Sequence, residues 1–174
     1  MAIYQYYLAV VPKKGILKRH RHDLIPNEIG VSTETGFFES DAELYWKEID
    51  IKADEITPKI DSIVKRVDWS NNKTSFNWKT YSETLDNDAF IGLDERTLSI
   101  TEFSFRADLR ENGFTFLKNM IELGKENDWM FMDRKGKLMN ADVDEIKESI
   151  RNSDAHSFLK KPIEFLESLD NKNE

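Results

Sequence analysis

The stretch Ala89-Phe90-Ile91-Gly92-Leu93-Asp94-Glu95-Arg96-Thr97-Leu98-Ser99-Ile100-Thr101-Glu102-Phe103-Ser104-Phe105-Arg106-Ala107-Asp108-Leu109 decides the fold class. An apolar run meets a polar four-residue turn, and a long alternating strand follows, so the segment predicts a β-hairpin. Glu102, Ser104, Arg106 and Asp108 line one face at a spacing of two, while Phe103, Phe105, Ala107 and Leu109 line the other. Leu98 and Ile100 fall on the polar side of that pattern, which predicts a phase shift at a bulge near Thr101. An antiparallel sheet with one apolar and one polar face is the expectation.

Working outward, residues 3–11 are rich in Tyr and Val and end at Pro12, the pattern of a buried strand. Residues 12–29 lack periodicity and predict a long loop. Ser40-Asp41-Ala42-Glu43 has capping-box spacing and predicts a short helix to about Glu48, with a strand through Ile49 and Ile51 as the alternative. Thr57-Pro58 predicts a helix start, with Ile60, Ile63, Val64 and Val67 on one face. Phe76 and Trp78 suggest a short strand in a polar region. Residues 114–125 predict an apolar helix, and Trp129–Met132 with Lys137–Met139 a second hairpin around Asp133-Arg134-Lys135-Gly136. Asn140 is expected to cap a helix bearing Val143, Ile146 and Ile150; Ser153 and Pro162 would start two more. The order β, α, β, β, α, β and then helices predicts an α+β fold. It is expected to be ferredoxin-like, an antiparallel sheet with helices on one face, an insertion after strand one and extra C-terminal helices. One domain over residues 1–170 with a frayed tail at 171–174 is expected.

The 174 residues contain 39% hydrophobic side chains, among them eleven Phe, four Trp and five Tyr, which excludes a disordered chain. With no Cys, neither a disulfide framework nor a thiolate metal site can form. The Tyr-rich opening lacks a signal peptide's order of parts, so a cytoplasmic setting is expected. Charge is unevenly distributed. Residues 1–22 carry Lys13, Lys14, Lys18, Arg19 and Arg21 and no acid, a net +5 against −8 for the whole chain. Residues 23–61 hold eleven acids against Lys47, Lys52 and Lys59. Such an acidic chain disfavours nucleic acid as a partner.

Several residue groups have the makings of chemistry. His20, His22 and Asp23 could contribute to a divalent metal site, although the neighbouring Lys18, Arg19 and Arg21 would repel a cation. The same basic loop, Lys13 to His22, could hold an anion. Ser153, Asp154 and His156 carry the residue types of a hydrolytic triad, but sequence neighbours seldom adopt its geometry and a helix cap accounts for Ser153. The acid-rich segment is the better candidate. Glu39, Asp41, Glu43, Glu48 and Asp50 surround Trp46, so an aromatic anchor inside an acidic rim would suit a basic protein partner, with a core tryptophan beneath a solvated charged helix face as the alternative.

The opening Tyr4-Gln5-Tyr6-Tyr7-Leu8-Ala9-Val10, the scattered Trp69 and Trp78, and the closing Ser153-x-Ala155-x-x-Phe158-Leu159-x-x-Pro162-x-x-Phe165-Leu166 resemble small acidic cytoplasmic immunity proteins of bacterial toxin systems. The resemblance implies a non-enzymatic binding module that neutralises a basic toxin domain by covering it, with no cofactor, metal or membrane involved. The alternative is a metal-dependent enzyme or small-ligand binder that uses His20, His22 and Asp23.

Overall fold

A computed structural model describes residues 4–20, 24–67, 73–80 and 82–161. Their elements are β1 (Gln5–Pro12), α1 (Lys13–Arg19), β2 (Val31–Ser32), β3 (Glu39–Ser40), α2 (Ala42–Trp46), α3 (Ala53–Asp61), β4 (Arg66–Val67), β5 (Ser75–Lys79), β6 (Asp88–Leu93), β7 (Ile100–Asp108), α4 (Thr115–Glu126), β8 (Trp129–Met132), β9 (Leu138–Asn140), α5 (Val143–Arg151) and α6 (Asp154–Lys160). Seven strands form one antiparallel sheet in the order β4-β5-β6-β7-β1-β8-β9, and β2 pairs separately with β3. The fold is α+β.

The β6–β7 hairpin forms as its alternation predicts. Gly92 faces Glu102 while Leu93 faces Ile100, which leaves Thr101 as the extra residue of a bulge. Phe103, Phe105 and Ala107 enter the core, and Ile100 rejoins them beyond the bulge. β1 is interior to the sheet and buried on both faces, so it reads as an apolar run rather than an alternation. Tyr6, Leu8 and Val10 point to the first face, beneath Ile56 and Ile60 of α3, Met120 and Ile121 of α4, and Ile146 of α5. Ala9 and Val11 point to the second, beneath Ile16 of α1 and Ala42 and Tyr45 of α2. Helices therefore cover both faces, not one.

Several local expectations change. The loop expected after Pro12 opens with α1, because Pro12 can stand at the N-cap, where its missing N–H costs nothing. Gly15 belongs inside that helix because the Tyr45 carbonyl occupies the space where a Cβ would lie. Helix α3 starts at Ala53, four residues before the expected Thr57, and contains Pro58. Glu55 begins it by accepting the Lys52 N–H at 2.9 Å, and Asp54 and Glu55 suit the positive end of the helix dipole. Ile60 and Val64 are core, but Val67 has already passed into β4. The Ser40 capping box does not form, since Ser40 ends β3 and Asp41 holds the cap position. Asp142, not Asn140, caps α5 by accepting the Asp144 and Glu145 N–H groups, whereas Ser153 caps α6 as expected. Phe114 stands outside α4 at φ 52, 39% exposed. Trp69, the helix expected from Pro162 and the tail from 171 lie outside the described residues. Among the described residues no helix is long and apolar enough to cross a membrane.

The contact between Gly15 and Tyr45 sets how closely α1 and α2 approach. Gly15→Ala should lower stability by about 1–3 kcal/mol through overpacking against an unyielding backbone. Lys14→Ala, on the exposed side of the same turn, should shift the chemical-denaturation midpoint little. Equal midpoints for the two variants would refute the close approach.

Candidate functional site

The second face is covered over β1, β8 and β9, and α2 also packs on β7; among the described residues its apolar cluster takes nothing from β5, β6 or β7. What remains is a groove of about 760 Å³. Its floor is Tyr7 and Ala9 of β1 with Glu102 and Ser104 of β7; its walls are Phe38 and Glu39 from the β2–β3 hairpin, Asp41 and Glu43 at the start of α2, and Arg134 from the β8–β9 turn. A second hollow of about 290 Å³ continues toward Asn77, Asp88, Phe90 and Arg106, and Tyr7, Ser104 and Arg134 border both. These dimensions suit a ligand or a segment of a partner.

The groove is electrically polarised. Glu39, Asp41, Glu43 and Glu102 all line the larger hollow. Glu102 is exposed to solvent, yet the protein surface packed beside it lowers the dielectric on that side. That enclosure, and secondarily Glu43, pushes its carboxyl above the usual glutamate range. No cation pairs with Glu102 among the described residues, whereas Glu43 has Lys47 at 3.1 Å. In the smaller hollow, Arg106 forks onto Asp88 at 2.8 and 2.7 Å. The Arg134 guanidinium lies 5.2 Å from the Tyr7 ring centre and 5.7 Å from that of Phe38, which meet edge to face at 5.3 Å. Burial, and then the charge of Glu102, push the Tyr7 phenol up to about 12 against the opposing pull of Ser104, Arg134 and Arg106. Tyr7 is therefore a proton-bearing donor at neutral pH.

The expected partner-binding set divides. Glu39, Asp41 and Glu43 come together on the groove. Glu48 instead holds α1 in place: its carboxylate meets Arg19 at 3.2 Å and its carbonyl accepts Lys18 Nζ at 2.7 Å. Asp50 accepts from Lys52 at 2.6 Å and Ser99 at 2.5 Å, which hold its carboxyl below the usual range. Trp46 is a correction. Only 1% exposed, it donates its indole N–H to the Val10 carbonyl at 2.9 Å and meets the Trp129 ring edge-on at 5.6 Å. Such a side chain supports the groove from beneath and cannot be a surface anchor. The exposed aromatic of the acidic segment is Phe37, 76% exposed in the β2–β3 turn.

Of the metal candidates, His20 Nε2 lies 3.2 Å from the Tyr45 hydroxyl, and His22 and Asp23 fall outside the described residues. No group of three or more His, Cys, Asp or Glu side chains placed to hold a metal occurs among the described residues. His156 turns its Nδ1 to the Arg151 carbonyl at 3.2 Å, so it does not serve Ser153 as a base. Asp108 leaves the expected polar row: fully buried, it is held ionised against the cost of burial by Arg110 and the Asp86 N–H. Sequence reasoning found Glu102, Ser104 and Arg106 as a row but missed Tyr7 and Arg134, whose roles depend on placement across the fold. The groove offers charge, donors and aromatic surface, and among the described residues no imidazole lines it. It is equipped to bind. Compared with known proteins, the chain matches no family model, no curated sequence and no solved structure.

Glu102 ties stability to pH. Because folding raises its pKa, the native state binds more protons in the window just above the ordinary glutamate value, and stability falls as pH rises through that window. Glu102→Gln should therefore melt higher than wild type at pH 7, and the gap should close as pH drops below the ordinary glutamate value. A wild type that melts higher at pH 7 would contradict this electrostatic description. Trp46→Ala should cost about 3–5 kcal/mol in the absence of any partner, the loss expected for a core tryptophan; an unchanged denaturation midpoint would return Trp46 to the surface.

Proposed function

We propose that the chain is a non-enzymatic binding module that receives a basic segment of a protein partner at the acidic end of the groove. In the immunity-protein form of this reading, it neutralises a basic toxin domain in the cytoplasm by covering it. The observation that carries the proposal is the convergence of Glu39, Asp41 and Glu43 with Glu102, whose carboxyl is raised by enclosure and has no cation among the described residues. A lysine or arginine entering there would supply the missing countercharge. The net charge of −8 would accelerate the encounter with a basic surface. Phe37, 76% exposed beside this rim, takes the role of aromatic contact in place of Trp46.

The proposed framework is a ferredoxin-like unit formed by β1, α3, β6, β7, α4 and β8. The sheet order β6-β7-β1-β8 supports it, with α3 and α4 supplying the two connections. Residues 13–52 would then be the insertion that builds the groove's wall, and β9 with α5 and α6 the C-terminal addition.

Affinity capture from the source cells, followed by titration of the recovered protein, tests the proposal. Glu43→Lys should mainly slow association and flatten its salt dependence, while Phe37→Ala should speed dissociation by about tenfold or more. Glu122→Lys, on α4 across the sheet, is the control and should bind like wild type. A partner indifferent to both groove variants would reject the acidic end as its docking site.

A further inference from the structure

We propose that the far end of the same groove is a carboxylate subsite formed by Arg134, Arg106, Tyr7 and Ser104. The groove would then read an extended partner segment that presents a basic and an acidic side chain on one face. This deepens the binding-module reading and rests on it.

Arg134 carries the inference. Its guanidinium lies over the Tyr7 and Phe38 rings at 5.2 and 5.7 Å, and no carboxylate pairs with it among the described residues. Arg106, its neighbour in the groove, has both a forked bond and an ion pair to Asp88. A guanidinium resting on aromatic rings keeps its N–H fork free for a planar two-oxygen acceptor. The fields of Arg134 and Arg106 both reach the Tyr7 phenol, which remains protonated and able to donate to the same acceptor; burial lowers the pKa of Arg134, and the charge of Arg106 adds to that effect. An anion seated between the two arginines would relieve that repulsion.

The surrounding charge selects the kind of anion. Asp88, Glu39, Asp41, Glu43 and Glu102 line the two connected hollows against only Arg106 and Arg134. A dianionic phosphate would meet that acidic excess, whereas a singly charged carboxylate needs only the local fork. Length selects the carrier. Glu102 and Arg106 face the same way on β7, and four strand residues at about 3.4 Å each separate them by roughly 14 Å. A free amino acid has both charges on one carbon and cannot reach both ends. An extended peptide repeats its same-face side chains every second residue and can.

The test uses the full chain and four capped nine-residue polythreonine peptides, titrated by calorimetry or NMR. One carries Lys at its third position and Glu at its seventh, one Lys alone, one Glu alone, and one neither. The two-charge peptide should bind wild type about tenfold more tightly than the Lys-only peptide, equivalent to about 1.4 kcal/mol. Arg134→Gln should erase that gain, so that the two-charge and Lys-only peptides bind the variant equally. No gain from glutamate, or a gain that survives Arg134→Gln, overturns the subsite, while a preference for Lys-only over neutral peptide upholds the acidic end. Conversely, Arg134-dependent binding of the Glu-only peptide with no gain from lysine upholds the subsite and sinks the acidic-end reading. Failure of all four peptides to bind overturns both.

Discussion

Trp46 donates its indole N–H to the Val10 carbonyl at 2.9 Å, at the point where the centre of the sheet divides. β1 pairs with β7 only from Gln5 to Ala9 and with β8 from Ala9 onward. Beyond Ala9 it leaves β7, and α2 packs against both strands. A buried carbonyl left without a donor would cost on the order of 1–3 kcal/mol, so the indole supplies the satisfaction that a strand partner would give elsewhere. The same residue joins the first-face core through Trp129, while its helix neighbours Ala42 and Tyr45 join the second. One short helix thereby links both layers, and its first turn carries Asp41 and Glu43 to the rim of the groove.

That arrangement sorts the charges. Part of the basic N-terminal cluster, the most conspicuous local charge in the sequence, is taken up in pairing at the surface. Lys18 and Arg19 fix the end of α1 to Glu48, and Lys13 lies 3.7 Å from Asp128. Exposed pairs of this kind contribute little stability each, but they offset positive charge that would otherwise attract an anion. The acids sort the other way. Glu48 and Asp50 find partners, while Glu39, Asp41, Glu43 and Glu102 collect around a concave surface. Like charges gathered in a reduced dielectric are costly, as the raised Glu102 carboxyl records. A fold keeps such an arrangement at the expense of its own stability, and a cationic visitor offsets the cost.

The legible parts of the fold are those governed by local periodicity. The β6–β7 hairpin and its bulge at Thr101 follow from an alternation with one phase error, and the pleat allows no other reading of Ile100 and Glu102. Helix α1 was not legible, because Pro12 and Gly15 read as breakers, and only the approach of the Tyr45 carbonyl makes a helical glycine necessary. Helix α3 misled for a related reason: Thr57-Pro58 mimics a start, but Glu55 had already begun the helix. The site divides along the same line. Glu102 and Arg106 share a strand face, which alternation reveals. Arg134 sits in an ordinary turn and gains its position only when β8 and β9 bring it over Tyr7. Trp46 looked like an anchor because acids surround it in sequence, yet the helical turn that exposes Glu43 directs the indole inward.

Floor and walls of the groove also differ mechanically. Tyr7, Ser104, Glu102 and Arg106 stand on β1 and β7; Ser104 and Arg106 are paired with strands on both sides, Tyr7 with β7 and Glu102 with β6, so the groups that would define a ligand's register are held on sheet backbone. The wall is a hairpin of two-residue strands, β2 and β3, whose turn exposes Phe37 and whose backbone bonds to the rest of the fold include Asp41 N–H to Gly30 C=O at 3.1 Å and Ile29 N–H to Gly136 C=O at 2.8 Å. A two-residue ladder buries little and opens at low free-energy cost compared with the sheet beneath it. Binding that relies on the floor for orientation pays little ordering entropy, while the wall can adjust to side chains of different size. Specificity would therefore reside in the fixed spacing of Glu102 and Arg106, and tolerance in the hairpin. This division of labour follows from the strand lengths alone, whatever partner fills the groove.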